Sequence, residues 1–301
     1  MKKKVLIGAG MLGLFMVSCF SDNAKKGNVA ENNATEEISS SLGNVFTSDG
    51  SSETSVAESE SQTSQDQNSA SNGSYTVNGV TFKMVTVEGG TFTMGAASST
   101  KETKENEFPA HSVTLSTFQI GETEVTQALW EAVMATNPSV EKDPKFPVAY
   151  VTDNQCLEFI EKLNKLTGAN FRLPTEAEWE FAARGGNRGG NALYAGGDDY
   201  KNVCWCSDNA KHVVRPVATK RPNELGIYDM SGNVSEFCSD YYNAKYYEES
   251  PSENPVCSKK TSHRVVRGGA CSNDKRYCRV TARSSAYLNN RFTTTGFRLA
   301  Q

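Results

Sequence analysis

The 301-residue chain is short of several things that would point to a chemistry. It has only three histidines, His111, His212 and His263, spread too widely to suggest a histidine-built metal centre. Basic residues are not in excess: the formal net charge is −4, which excludes the electrostatic footprint of a nucleic-acid binder. Eight cysteines are too few for a disulfide-built scaffold of this length. No apolar run after residue 19 is long enough to cross a bilayer, which takes about 20 residues. There is no nucleophile–base pair, no internal repeat and no phosphate-cradling loop; glycines 185, 186, 189 and 190 read as a surface turn. Hydrophobic residues make up 37%, low for a fully packed chain, so any core must be concentrated in part of it.

What is present is ordered along the chain. Lys2, Lys3 and Lys4 precede an uncharged apolar run from Val5 to Val17, the basic and hydrophobic parts of a secretory signal. The run ends in Met16-Val17-Ser18-Cys19, which resembles a bacterial lipoprotein signal. That resemblance implies cleavage before Cys19 and several acyl chains on it, enough for a stable anchor. The expected location is a membrane face outside the cytoplasm, either the outer membrane or the cell surface. Losing residues 1–18 removes three lysines and takes the net charge from −4 to −7. Residues 19–74 contain Ser, Asn, Glu, Gln, Thr and Asp with hardly a large apolar side chain. Such a segment buries too little surface to offset its ordering entropy and is expected to be a disordered tether. Its r.m.s. span would be roughly 40 Å, enough to lift a domain clear of lipid headgroups.

The remaining residues, 75–301, read as one α+β domain. Alternation over Tyr75–Val77 and Val80–Val85 around Asn78-Gly79 predicts a hairpin. Gly89–Gly95 reads as a strand between glycines, and His111–Ile120 alternates as another. Val125, Leu129, Trp130, Val133 and Met134 fall at helical spacing. Thr152 with Gln155 forms a capping box, Cys156, Phe159, Ile160, Leu163 and Leu166 share one face, and Gly168 stops the helix. A second capping box at Pro174–Glu178 opens a short helix through Trp179 and Phe181 to Gly185. Beyond Gly185 the chain is turn-rich, with short strands at most.

Six ordered stretches together resemble the formylglycine-generating-enzyme (sulfatase-modifying-factor) domain. They are Gly89–Gly95, Glu122–Thr126, Phe171–Glu180, Asn223–Val234, Arg264–Gly269 and Gly296–Arg298, and the resemblance covers nearly all of residues 80–301. It implies a C-type-lectin-like fold with a long, irregular C-terminal loop region. Fold alone does not fix function, and the family holds copper-dependent oxidases, iron-dependent sulfoxide synthases and proteins that only bind ligands. The oxidases hold copper on two cysteines spaced C-x4-C. Counted from Gly268-Gly269, those positions fall on Asn273 and Cys278, and the available pair, Cys271 and Cys278, is two residues too far apart. The three-histidine site of the sulfoxide synthases has no counterpart. Buried thiols or a disulfide are the simpler expectation: Cys156 reads as a buried thiol, while Cys204, Cys206, Cys238, Cys257, Cys271 and Cys278 are candidates for pairing in a connectivity the sequence does not give. The family's calcium-binding Asn and Glu correspond to Asn233 and Glu236, although Ser235 and Phe237 stand where it carries tryptophans. No other cofactor is implied.

The segment from about 270 to 295 has neither helical nor strand periodicity, yet sets aromatics among small polar residues and arginines. That mixture is typical of antibody-like binding loops. It resembles the variable regions of treponemal proteins diversified by retroelements, which mutate adenines in asparagine codons. Residue types reachable in this way stand at Ser272, Asp274, Tyr277, Ala282, Ser284, Ser285, Ala286, Leu288, Phe292, Thr293 and Thr294; Lys275 is not one. With Asn273 and Tyr287 these form the expected ligand-binding set, while Arg279 and Arg283 are expected to pair internally. The resulting expectation is a monomeric, non-enzymatic domain on a lipid-anchored protein, binding a protein or glycan on another cell or host. The competing expectations are a copper-dependent formylglycine-generating oxidase acting on a sulfatase cysteine, and a purely structural lipoprotein.

Overall fold

The computed structural model describes residues 69–71 and 73–301. The signal segment, Cys19 and most of the polar tether lie outside the described residues. Strand β1 (Ser69–Ser71) falls inside the segment assigned to the tether and pairs with β2 (Ser74–Val77), so folded structure begins before Tyr75. The expected hairpin joins β2 to β3 (Val80–Val87), with Val77 opposite Val80. Asn78 and Gly79 both take positive φ, 48° and 82°, the conformation a two-residue hairpin turn requires.

The predicted strand over His111–Ile120 is two strands in different sheets. β4 (Gly90–Met94) pairs with β5 (His111–Leu115), whereas β6 (Phe118–Gly121) returns to pair with β3. The exposed Ser116-Thr117 between them lets the chain change partner. Helix α1 (Gln127–Met134) starts at Thr126, whose hydroxyl accepts from Leu129 N at 3.2 Å, so Val125 lies just before the helix. Helix α2 (Asp153–Thr167) has the expected reciprocal cap between Thr152 and Gln155 and ends on Gly168 at φ 69°. Cys156, Phe159, Ile160 and Leu163 are buried, but Leu166 is 37% exposed, because the apolar stripe leaves the core in the last turn. Trp130 stacks on Phe159 at 5.1 Å, and Phe297 meets both edge-on, tying α1 and α2 to the C-terminus. Such pairs add about 0.5–1.5 kcal/mol each beyond area burial.

Helix α3 (Glu176–Ala183) carries its predicted Thr175–Glu178 capping box, and all eight of its residues are buried. Three of them are glutamates, and each meets arginine: Glu176 with Arg267 and Arg283, Glu178 with Arg172, Glu180 with Arg184 and Arg267. Charges leave water only when paired. The turn-rich half contributes more sheet than its sequence suggests. β7 (Ser235–Tyr241), β8 (His263–Arg267), β9 (Ser284–Tyr287) and β10 (Thr295–Gly296) form a four-stranded sheet in the order β10-β7-β8-β9. Alternation is hidden there because buried Glu236, Asp240, Arg264 and Arg267 occupy inward positions.

Candidate functional site

The segment between β8 and β10 is built from two sets of side chains with opposite duties. Arg279 and Arg283 point inward. Arg279 donates to both oxygens of buried Glu107 at 2.8 and 2.7 Å, and Arg283 grips Glu176 through Nε and Nη2 at 2.6 and 2.8 Å. Bidentate guanidinium–carboxylate pairs fix orientation as well as charge, so these arginines fasten the segment to the core. Burial alone would push the Glu107 and Glu176 carboxyls up. The guanidiniums nevertheless hold both below the usual range, assisted at Glu107 by the Thr281 hydroxyl.

Between these anchors the chain turns other residues outward. A short 3-10 helix over Lys275–Cys278 begins at Asp274, whose carboxylate accepts from Arg276 N at 2.9 Å. It presents Tyr277, while β9 presents Ser284 and Tyr287 and the following loop presents Phe292 and Thr293. Tyr277, Tyr287 and Phe292 are 36%, 51% and 41% exposed, a large apolar offering for one short stretch. The Tyr287 ring lies tilted against that of His263, with centroids 3.8 Å apart, which steadies it. Backbone bonds hold the outer loop against the start of α2: Tyr150 N donates to Phe292 O, and Asp153 N to Leu288 O. Ser207 N donates to Asn273 O on the other flank, and the Ser272 and Thr294 hydroxyls lie 3.2 Å apart.

Of the thirteen residues expected to meet ligand, eleven are exposed or half-buried. Ala282 and Ala286 are not: they are 7% and 4% exposed. Ala286 faces inward from β9 into the core with Phe159 and Phe237, and Ala282 follows the buried run Cys278–Val280. A cavity of about 150 Å³ opens among Asn273, Tyr277, Ala282 and Ser284, with Ser235 and Gly269 behind. A second, about 210 Å³, borders Thr293 and Thr294 beside His212. Sequence reasoning missed Glu107, Ser235 and His263, which have no local signal; Glu107 stands 172 residues from its arginine.

The family model for the sulfatase-modifying factor enzyme 1-like domain matches residues 69–301. The chain belongs to that family. The formylglycine-generating enzyme of Streptomyces coelicolor is 30% identical over 283 residues, covering 72% of this chain and 88% of that protein. The protein named chaperone LppX of Paenibacillus barcinonensis is 32% identical over 236 residues, covering 62% and 77%. Among solved structures, Treponema denticola variable protein 1 superposes with a TM-score of 0.63 at 29% identity, covering 75% of this chain and 97% of that one. The fold is therefore the C-type-lectin-like α+β arrangement of the sulfatase-modifying-factor family, and it is found in enzymes and in a variable protein alike.

The family's metal positions are used differently in this member. Glu236 Oε2 accepts from Arg298 Nε at 2.6 Å and Trp179 Nε1 at 2.7 Å, and Oε1 accepts from Arg298 Nη2 at 2.7 Å. Asn233 spends its oxygen on Arg215 N and its amide on Glu124. Calcium on Asn233 and Glu236 would have to displace a buried ion pair, so these residues do not fit it. Among the described residues no group of three His, Cys, Asp or Glu side chains is set to hold a metal ion. All seven cysteines of the domain are buried, and no disulfide joins them in this structure. Cys278 packs with Cys204 and Cys206, and burial pushes the Cys271 thiol up to about 12.

Proposed function

We propose that this family member is a binding protein, displayed outside the cytoplasm on a lipid anchor at Cys19, whose surface over about 270–295 is diversified by a retroelement. The observation that carries the reading is the division within that segment. Arg279 and Arg283 are buried on carboxylates, while Tyr277, Tyr287 and Phe292 stand exposed among small polar residues. A scaffold whose fixed residues are internal tolerates replacement of its outer ones. The likeness to Treponema denticola variable protein 1 supports the same reading. The ligand is a protein or glycan carried by another cell or host, met by the aromatics, the 150 Å³ cavity and the hydroxyls of Ser272, Ser284, Ser285, Thr293 and Thr294.

The deciding test is genomic. A near-copy of the last ~100 coding bases, beside a reverse-transcriptase gene and differing only at adenines, is expected; its absence removes the diversification. Lipidation is tested by labelling with a fatty acid, which Cys19→Ser should abolish.

A second reading, a copper-dependent formylglycine-generating oxidase, is favoured by the Streptomyces coelicolor relative. Against it stands the C-x6-C spacing of Cys271 and Cys278. Incubating the purified domain with copper and a sulfatase-motif peptide separates the two: loss of the peptide cysteine would establish the oxidase.

A further inference from the structure

Three thiols meet under the binding face from two distant parts of the chain. Cys204 caps the end of helix α4 (Tyr200–Val203), and Cys206, two residues on, caps the start of helix α5 (Ser207–Ala210). Cys278 ends the 3-10 helix that presents Tyr277. Cys204, Cys206 and Cys278 pack together, all three fully buried, beside Tyr194 and Val203. Two tight glycine turns wall them in. A Cβ on Gly269 would come within 2.9 Å of Cys278 Sγ, one on Gly232 within 2.9 Å of Cys204 Sγ, and Gly232 N donates to Gly268 O at 2.8 Å.

From this geometry we propose that Cys204 and Cys278 form a disulfide in the exported protein, linking the variable surface to the α4–α5 segment. The pairing follows from backbone shape. Cys204 and Cys206 are both extended, at φ −134° and −129°. An extended chain sets residues i and i+2 about 6.6 Å apart at Cα, near the upper limit for a disulfide, so the bond within Cys-Trp-Cys is the strained alternative. Cys278 carries no such constraint, since it reaches Cys204 from another element. Cys206, held near 7 by the hydrogen bond from Cys204, is the thiol left to exchange with a wrong pairing.

The step balances as thiol–disulfide exchange. The oxidant is a disulfide of the exported compartment, on a protein or a small thiol. One cysteine thiolate attacks it, the second resolves the mixed disulfide, and the two leaving thiols carry away the two electrons and two protons. The bond forms during folding, before the core closes over the sulfurs. Its consequence is mechanical: the 3-10 helix bearing Tyr277 is fixed at its C-terminal end by a covalent bond and at Asp274 by its cap. The proposal uses the exported location; its occurrence in the cell rests on that reading.

The test is peptide mapping of the full chain, purified from membranes of an exporting host, with free thiols blocked by N-ethylmaleimide under denaturing conditions. A Cys204–Cys278 link is expected, with Cys156, Cys206, Cys238, Cys257 and Cys271 alkylated. Alkylation of both Cys204 and Cys278, or a Cys204–Cys206 bond, would overturn the assignment. To separate failure of export from failure of the pairing, the same chain is refolded with glutathione disulfide, where the same link is expected. Reductant should lower the melting temperature of the linked chain by about 5–15 °C. Cys278→Ser should melt near the reduced value with no further response to reductant; a retained response sinks the proposal.

Discussion

Within one stretch of about 25 residues, two regions obey opposite rules. The inner one, Arg279 and Arg283 with the carboxylates of Glu107 and Glu176, is almost fully removed from water and admits one geometry. The outer one, Tyr277, Ser284, Tyr287, Phe292 and Thr293, is exposed and fastened mainly through backbone bonds. The difference shows how a surface can change its side chains without losing its shape. Orientation is carried by buried ion pairs and main chain, leaving the outer side chains free for recognition.

Breaking the inner set should have the largest effect. Glu176→Ala leaves Arg283 without its carboxylate and Arg267 with only Glu180, and is expected to cost about 3–5 kcal/mol in urea unfolding. A cost below about 1 kcal/mol would erase the distinction between the regions. Next, Ala286→Tyr tests a residue that looks variable but faces inward. Overpacking there should cost about 1–3 kcal/mol, whereas Ser284→Tyr, two residues earlier and exposed, should be nearly neutral.

Acidity sharpens the comparison with two opposing signs. Glu107, Glu176 and Glu180 are buried, which opposes their ionisation, yet their arginines hold them below the usual range. The stability they contribute is complete above the unfolded carboxylate value and is lost as pH falls through their lower folded values. Asp229 and Asp240, raised to about 6 by burial, act the other way: stability rises as pH falls through 6 toward the unfolded value near 4. A thermal-unfolding series should therefore peak near about pH 4 to 5 and fall towards 6, and Asp240→Asn should flatten that descent between about pH 4 and 6. Smallest of all, Tyr287→Ala and Phe292→Ala should each move stability by no more than about 0.5 kcal/mol. Once a ligand is in hand, the same substitutions are expected to weaken binding by tenfold or more, measured by calorimetry.

Much of the first half of the fold is legible from sequence because its signals are local. Asn78-Gly79 can only turn, and Thr152 with Gln155 and Thr175 with Glu178 cap their own helices three residues away. Alternation failed at His111–Ile120 because it reports which way side chains point, not which strand is the partner. It failed again over β7 to β9, where inward positions hold charges instead of apolar residues. At the site, the aromatic and small-polar composition identified the segment, and the frame arginines were recognised as internal. Their partners could not be, since nothing near Glu107 indicates a residue 172 positions away.

The sequence by itself determined the family, the α+β class, the capped helices and the placing of a binding-type composition at the C-terminal end. Those depend on residue types and on bonds that close within a few positions. Only the tertiary structure decided that Ala282 and Ala286 lie inside, that Glu236 belongs to Arg298, and that Cys204, Cys206 and Cys278 share one pocket. Each is settled by burial and charge pairing between distant segments, where the cost of an unpaired charge or an oversized side chain in a closed core outweighs any local preference.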